Sequence, residues 1–333
     1  MSARTPASGC TILITSAGRR VGLIDCFRDS ALALGLELTV IATDLDPAMS
    51  AACQFADLAF ATPACSTPEC TERLLEICAS HAVDLLVPTI DTELPGLSLA
   101  APRFLAAGTA VSISTPELVA ISRDKLRTAC ILAAHGISTP RSGTIDDVMA
   151  SAGSWRWPLI VRPRAGSSSI GVHLVASPDE LADLRLPADA FAQEFERGEE
   201  YTVNLFFDRA GTLRCAIPHL RREVRAGEVA KGITRRHPRL EELAWDLGRI
   251  LQGARGTLCF QAIVNERGEP VVFEINGRFG GGYPLAHRAG GTFCRWLLEE
   301  VAGLPSSAHN GWQGGVVMLR YDRAVYRQEV AAR

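Results

Sequence analysis

The sequence predicts an α/β protein in two parts: a doubly wound N-terminal domain, then a region of mixed α+β organisation. In residues 1–115, short apolar runs alternate with helical patterns at strand–helix–strand spacing, which is typical of a parallel sheet covered by helices. After Ser151 short β runs dominate, and residues 257–275 have the pattern of a β-hairpin. The 333 residues are enough for about two to three domains of roughly 100–200 residues each.

The N-terminal part contains three predicted strands and two predicted helices. A helical pattern runs through Leu34 and is stopped by Gly35, a residue that readily takes the left-handed conformation of a helix end. The strands are expected at residues 11–15, 38–42 and 84–88, and the second helix at residues 71–81.

The loop after the first strand resembles a dinucleotide-binding turn only in part. Residues 16–22 lie between a strand and a helix, and Asp44 ends the next strand, but the GxGxxG pattern is interrupted by Arg19 and Arg20. A structural tight turn, with one of these arginines meeting an acidic group, is therefore favoured over nicotinamide binding.

The second part begins with helices and continues with short strands. Helices are expected at residues 117–121 and 123–135, with Gly136 as the stop. Strands follow at residues 158–162, 172–175, 191–193, 201–207 and 213–218, and a helix at residues 240–251 precedes the hairpin.

Composition excludes several classes of protein. A net charge of −3 and a pI near 6.2 do not suit a nucleic-acid binder, and no apolar run reaches the ~20 residues of a membrane span. The N-terminus lacks the layout of a signal peptide, so a cytoplasmic location is expected. None of the ten cysteines forms a CxxC pair, which favours reduced, buried thiols over metal or disulfide sites; those in apolar stretches are Cys26, Cys78, Cys130, Cys259 and Cys294.

Lysine is rare in this chain. Only Lys125 and Lys231 occur among 34 basic residues. A compact ammonium and a planar guanidinium are not equivalent inside a site, so the two lysines are candidate functional residues. Codon bias with two chance survivors is the alternative.

The hairpin at 257–275 carries the strongest pattern. A two-residue turn at Arg267-Gly268 would place Gln261 directly opposite Glu274, with Asn276 on the same face. These oxygen donors suit Mg²⁺, which takes one or two carboxylates and leaves other positions to phosphates and water. The alternative is a solvent-facing polar stripe, but the glycine run after Arg278 argues for close backbone approach to a ligand.

Two further segments are weaker when taken alone. Arg162 ends an apolar strand and precedes a Gly/Ser loop, whose free N–H groups can cradle phosphates. A plain flexible turn explains that loop equally well. Residues 191–204 join two strands through an acidic connector, which a solvated bend also explains.

The order of these parts resembles the ATP-grasp superfamily, and more closely the stand-alone relatives of one synthetase half of the carbamoyl-phosphate synthase large subunit. The resemblance implies an N-terminal pre-ATP-grasp domain at residues 1–115, an N-lobe at 116–190 and a C-lobe at 191–333. Residues 88–94 are similar to the domain that precedes the grasp in that family.

The resemblance also implies a role for each matching residue. The phosphate-binding residues would be Lys125 and Arg162, with a loop that closes over the phosphates and contains Gly166, Ser167, Ser168 and Ser169. The adenine hinge would be Gln193, Glu194, Phe195 and Glu196, and Glu200 would bind the ribose. Magnesium would be held by Gln261, Glu274 and Asn276. The catalytic residues would be Arg278, on the transferred phosphoryl group, with Lys231 and Arg222 near the phosphate or the acceptor.

Two positions depart from many ATP-grasp ligases, which have lysine in place of Arg162 and a carboxylate in place of Gln261; both resemble the carbamoyl-phosphate synthase branch. Because 333 residues leave no room for a glutaminase, we expect a carboxylate–amine ligase instead. It would use ATP with two Mg²⁺ ions, or with Mn²⁺, and its substrates would be a small carboxylate and an amine. No nucleic-acid or membrane partner is expected, and both a monomer and a homodimer are compatible with the sequence. The alternatives are a carboxyphosphate- or carbamate-type kinase and a catalytically inactive nucleotide-binding regulator.

Overall fold

The computed structural model describes residues 9–166 and 171–328, so the predicted phosphate-loop residues Ser167, Ser168 and Ser169 lie outside the described residues. The N-terminal part is a five-stranded parallel sheet in the order β3-β2-β1-β4-β5, which confirms the predicted doubly wound domain. Its strands are β1 (Gly9–Ile14), β2 (Glu37–Asp44), β3 (Leu58–Ala61), β4 (Leu85–Val87) and β5 (Ala110–Val111). Its helices are α1 (Val21–Leu34), α2 (Ala51–Phe55), α3 (Pro68–Ser80) and α4 (Leu94–Ala106).

Strand β1 marks the point where the strand order reverses, because it pairs with β2 on one side and β4 on the other. In open parallel sheets, ligands bind in the crevice outside the carboxyl ends of the strands at such a point. The loops that follow β1 and β4 lie at this crevice. Helix α1 begins after Arg20 and ends, as expected, at Gly35 in the left-handed conformation with φ 67°.

A four-stranded antiparallel sheet in the order β6-β9-β7-β8 forms the next part. It contains β6 (Ser142–Thr144), β7 (Leu159–Pro163), β8 (His173–Val175) and β9 (Ala190–Glu194), with helices α5 (Pro116–Arg123), α6 (Lys125–Ala134), α7 (Ile145–Ala150) and α8 (Pro178–Asp183). Helix α6 starts later than expected because the Asp124 side chain caps it, accepting the Arg127 N–H at 3.0 Å. The predicted boundary at residues 190 and 191 falls on β9, which pairs in this sheet, and the division itself stays a prediction.

The remaining strands form a six-stranded antiparallel sheet in the order β14-β13-β10-β11-β12-β15. They are β10 (Gly198–Phe207), β11 (Leu213–Arg225), β12 (Glu228–Thr234), β13 (Gly256–Asn265), β14 (Pro270–Asn276) and β15 (Val317–Leu319). The helices are α9 (Pro238–Ile250), α10 (Tyr283–Arg288) and α11 (Phe293–Val301). Along β10, Tyr201, Val203 and Leu205 enter an apolar core with α9, while Glu200 and Thr202, which alternate with them, face a cleft.

One continuous core joins the N-terminal sheet to the helices α10 and α11. Phe27 on α1 lies edge-on to Phe279, with ring centroids 6.2 Å apart, and Tyr283 and Trp296 belong to the same buried cluster. The parallel sheet therefore packs with α10 and α11 around one core, which holds the crevice against the cleft.

Eight of the ten cysteines are buried and all ten are free. The expectation for Cys130 was wrong: it lies on the exposed side of α6, where the apolar run of the sequence reflects a short helix with one solvated face. No helix among the described residues is long and apolar enough to span a membrane.

Candidate active site

A cleft of about 480 Å³ lies between the four-stranded sheet, the six-stranded sheet and the carboxyl edge of the parallel sheet. Twelve of the predicted site residues line it: Lys125, Arg162, Gly166, Gln193, Glu194, Phe195, Glu196, Glu200, Gln261, Glu274, Asn276 and Arg278. Arg222 and Lys231 do not line it.

The register of the β13–β14 hairpin confirms that Gln261 lies opposite Glu274, but the predicted turn was wrong. Gly268 donates its N–H to the Asn265 carbonyl and Asn265 donates to Glu269, so the loop has three residues with Gly268 at φ 73°. A bulge between Gln261 and Ala262 compensates for the extra residue. Near the residues predicted to bind metal, the register is therefore the one expected from a two-residue turn.

The bulge also has a consequence for Arg162. Phe273 is the additional residue on β14 and has no partner on β13. Its carbonyl instead accepts a hydrogen bond from the Arg162 guanidinium at 3.0 Å. Arg162 also donates to the side-chain oxygen of Gln193, and its Nε is buried without a partner among the described residues. Arg162 thus reaches from β7 to β14 and keeps an unused donor, as an anion-binding residue would.

Lys125, the first residue of α6, is almost fully buried. Its Nζ donates to the Gly166 carbonyl at 2.7 Å and lies 3.8 Å from Glu274 Oε1. Burial lowers the pKa of Lys125, with the Glu274 carboxylate opposing that shift and Arg162 adding to it. This is a costly position for a cation, and an anionic ligand would stabilise it.

Glu274 is the shared counter-ion of both cations. Its Oε2 lies 3.5 Å from Arg162 and its Oε1 faces Lys125, with only 15% of the side chain exposed. Burial lowers the pKa of Arg162 and Glu274 raises it, with a net decrease. An arriving polyphosphate would take over the two cations and release Glu274 for a metal ion.

Gln193 and Phe195 mark the predicted adenine hinge, which forms the far end of the cleft. Phe195 donates its N–H to the Pro158 carbonyl at 3.1 Å, and Gln193 donates to Ser142 at 2.9 Å. The Glu194 and Glu196 carboxylates both bind Arg156. The two carboxylates therefore share one guanidinium group, whose side chain is 58% exposed.

Glu200 lies opposite a residue that the sequence interpretation had not placed in the site. Arg221 on β11 donates to Glu200 Oε1 at 2.8 Å and to the Gly227 carbonyl, and only 6% of its side chain is exposed. Burial raises the pKa of Glu200 and Arg221 opposes that shift. The polar alternation of Glu200, Thr202 and Asn204 within an apolar strand could have identified this face in the sequence.

Arg278 is held from the N-terminal domain. Its Nε and terminal nitrogen both donate to Asp91 Oδ2, at 3.0 and 2.6 Å. Asp91 is positioned by Glu93, whose buried carboxylate accepts the N–H groups of Thr89 and Ile90 at 2.6 and 3.1 Å. The loop after β4 thus orients the predicted phosphoryl-binding arginine.

The loop after β1 supplies a second ion pair. Arg20 lies 2.9 Å from Glu228 Oε1, which confirms that an arginine of this turn meets an acidic group. Arg320 binds the other oxygen of Glu228 at 2.6 Å and the Gly281 carbonyl at 2.7 Å. The Gly18 N–H donates a hydrogen bond to the Asp44 carboxylate at 2.8 Å, so this donor already has a partner within the protein.

Arg222 and Lys231 lie away from the cleft for separate reasons. Arg222 follows the cleft-facing Arg221, so strand alternation turns it outward, and a register shift makes it an unpaired residue. Lys231 is 52% exposed and binds Glu223 Oε2 at 2.6 Å. The catalytic roles expected of both residues therefore have no geometric support.

The donor set fits Mg²⁺. Glu274 and Asn276 share one face of β14, and Gln261 faces them from β13, which gives one carboxylate and two amide oxygens. Among the described residues no group of three or more His, Cys, Asp or Glu side chains could hold a metal ion. A site of this kind leaves its remaining coordination positions to ligand phosphates and water.

Sequence comparison identifies the family. Residues 12–112 match the PylC-like N-terminal domain and residues 122–282 match the ATP-grasp domain, so the two matches cover most of the chain. This protein belongs to the ATP-grasp superfamily.

Curated relatives are similar over part of their length. The D-alanine–D-alanine ligase of Halorhodospira halophila is 29% identical over 56% of this chain and 58% of its own length. That of Chromohalobacter salexigens is 35% identical over 32% of this chain and 35% of its own length. A probable α-L-glutamate ligase of Pseudoalteromonas atlantica is 25% identical over 58% of this chain and 68% of its own length. The chain thus matches about a third to three fifths of the two D-alanine–D-alanine ligases.

Solved structures share the fold over nearly the whole chain. The biotin carboxylase domain of Hydrogenobacter thermophilus 2-oxoglutarate carboxylase has a TM-score of 0.72 at 14% identity, covering 90% of this chain and 71% of that one. The L-amino acid ligase of Bacillus licheniformis has a TM-score of 0.68 at 18% identity, covering 90% and 75%. These similarities establish the ATP-grasp fold.

Proposed function

We propose that this protein is an ADP-forming, Mg-ATP-dependent carboxylate–amine ligase. The observation that carries the proposal is the arrangement around Glu274: two buried cations, Lys125 and Arg162, share its carboxylate within a cleft that Arg278 closes at the other end. Such a site is suited to positioning and charge stabilisation in phosphoryl transfer, in which the protein does little covalent chemistry.

ATP would lie with its adenine at Gln193–Glu196 and its ribose at Glu200. Its phosphates would take the donors of Lys125 and Arg162, including the unpaired Arg162 Nε. Gln261, Glu274 and Asn276 would hold Mg²⁺, which would neutralise charge on the phosphates. The H. thermophilus neighbour was solved with magnesium ADP and bicarbonate, which supports this assignment.

The carboxylate substrate would attack the γ-phosphorus beside Arg278. Its oxygen forms the new bond to phosphorus, ADP leaves, and the acyl phosphate that results is attacked by an amine. The C–N bond forms as the C–O bond to phosphate breaks, and the amine loses a proton to the medium. Arg278, oriented by Asp91, would stabilise the charge on the phosphoryl oxygens.

The ligase names of the relatives support an amine acceptor over the kinase and the inactive regulator. The biotin carboxylase neighbour was solved as a domain dimer, so a homodimer belongs to this proposal, as do two metal ions and the cytoplasmic location expected from composition.

The decisive experiment is a screen of acids and amines for ADP release with Mg-ATP. ADP that appears only when an acid and an amine are both present supports the ligase, and acid-dependent ADP without an amine indicates the kinase. Glu274→Gln should abolish the signal, while Glu266→Gln, on the exposed turn of the same hairpin, should keep it. ADP release that survives Glu274→Gln would contradict the proposal.

A further inference from the structure

At the crevice end of the cleft, three arginines form ion pairs with two carboxylates. The loops after β1 and β4, the turn at Gly280–Gly282 and the segment after β15 meet here. Among the described side chains joined by ion pairs in this corner, Arg20, Arg278 and Arg320 share only Asp91 and Glu228. Two of the three guanidinium groups, those of Arg20 and Arg320, therefore share one carboxylate.

Arg20 is held at the cleft wall by a preorganised loop. Ser16 donates to Glu93 at 2.8 Å and Ala17 donates to the Thr43 carbonyl at 2.9 Å, while Arg20 itself immediately precedes α1. About a fifth of the Arg20 side chain is exposed, on the side that lines the cleft. A ligand that binds Arg20 therefore does not have to order this loop, which avoids an entropic cost of binding.

Glu228 neutralises Arg20 only in part, because it is shared. Its two oxygens go to two different guanidinium groups, Arg20 at 2.9 Å and Arg320 at 2.6 Å. A Cβ at Gly281 would lie 2.7 Å from the Glu228 carboxyl group and 2.9 Å from Arg20, so glycine lets this pair pack against the turn. Burial lowers the pKa of Arg20, Glu228 opposes this shift, and Arg278 and Arg320 add to it.

We propose that Arg20 binds a carboxylate of one of the two substrates, one that does not react, and that Glu228 competes with it for Arg20. That the ligand is a substrate rests on the proposed function. The reacting carboxylate is served by Arg278, which lies 3.4 Å from Asn276 of the proposed metal site. The second carboxylate therefore belongs either to a dicarboxylic acid or to an amine that carries a carboxylate.

The competition predicts opposite signs for two neighbouring substitutions. Arg20→Gln removes the binding group and should weaken carboxylate binding. Glu228→Gln removes the competing anion and should tighten it, whereas a purely structural ion pair would give weaker binding with either variant. Arg28→Gln is the matched control, since Arg28 lies on α1 and also pairs with a carboxylate, Asp57 at 3.1 Å.

The first arm measures binding without knowledge of the substrate. Formate, acetate and succinate are compared with formamide, acetamide and succinamide by thermal shift, with saturating Mg-ADP and constant ionic strength. Wild type and Arg28→Gln should prefer at least one carboxylate to its amide by about tenfold in apparent Kd. Arg20→Gln should lose that preference and Glu228→Gln should increase it several-fold. No Arg20-dependent preference in any pair, or weaker binding in Glu228→Gln, overturns the proposal.

The second arm identifies the source of the carboxylate. Each substrate of an active acid–amine pair is compared with its analogue amidated at the non-reacting carboxylate. Amidation of the source should raise its KM about tenfold in wild type and not in Arg20→Gln, while the KM for ATP stays within about twofold. If Arg20→Gln raised the KM for ATP as much as the KM for the substrate that carries the carboxylate, the proposal would be overturned. A failure of every pair to release ADP would refute the ligase function, and the binding arm would still decide the role of Arg20.

Discussion

The two lysines of this chain lie in contrasting environments, and their replacement tests the location of the nucleotide site. Lys125 is 7% exposed and donates to Gly166 at 2.7 Å, whereas Lys231 is half exposed and binds Glu223. Lys125→Met keeps the length and apolar stem of the side chain and removes the charge. We expect a large loss of function from this change and little from Lys231→Met.

The magnitude follows from the environment of Lys125. A charge-assisted hydrogen bond to a phosphate in a buried site contributes about 1.5–3 kcal/mol. Its loss corresponds to roughly a 10- to 150-fold weaker Kd for Mg-ATP or a comparable fall in kcat/KM. Glu274 keeps Arg162 as a partner, at 3.5 Å, so the free energy of unfolding should change little.

The assay is calorimetric titration of Mg-ATP into each variant, followed by ADP release with an active substrate pair. Lys231→Met should stay within about twofold of wild type, because its lost ion pair is exposed and lies away from the cleft. Equal effects of both substitutions, or no effect of Lys125→Met on nucleotide binding, would refute the assignment.

Three other outcomes are expected. Magnesium alone should bind weakly and Mg-ADP tightly, since Glu274 is occupied by two cations until phosphates replace it; tight calorimetric binding of Mg²⁺ to the nucleotide-free protein would contradict this. Asp91→Ala should lower kcat more than it raises the KM for ATP, because Arg278 loses its orienting partner while the hinge is untouched; an effect confined to the KM for ATP would count against it. Burial lowers the pKa of His219 from 6.5 to about 3, and the charge of Arg221 contributes to this shift. As the pH falls, the unfolded state therefore binds a proton at this histidine before the folded state does. This group should therefore remove about 2 kcal/mol of stability between pH 7 and pH 5, and urea unfolding of His219→Asn should show a shallower pH dependence than wild type.

Local patterns in the sequence predicted much of the fold. Gly35 ends α1 because its left-handed conformation suits a helix end, and strand–helix–strand spacing was enough to predict the parallel sheet. The Gln261–Glu274 pairing was predicted correctly although the turn was not, because the bulge at Phe273 offsets the extra loop residue. Such compensation depends on how Arg162 and the sheet pack, which no local pattern records.

The residues that meet at the crevice end of the site could not be predicted from the spacing of motifs in the sequence. Asp91 and Arg278 are 187 residues apart in sequence and meet because the reversal of strand order brings the loop after β4 to the cleft. The rule that ligands bind at this reversal could have drawn attention to Arg20 and Asp91. Strand alternation from Arg221 already predicts an outward-facing Arg222. Neither the rarity of lysine nor the family resemblance predicts how exposed Lys231 is.

The central claim is that a carboxylate oxygen is transferred to phosphate. The acid found in the screen is labelled in its carboxylate with heavy oxygen, and the phosphate and nucleotide products are analysed by mass spectrometry. The account predicts ADP and one labelled oxygen in the released phosphate per turnover. AMP as the product, with the label in AMP and the phosphate unlabelled, would show adenylation and contradict the acyl-phosphate mechanism.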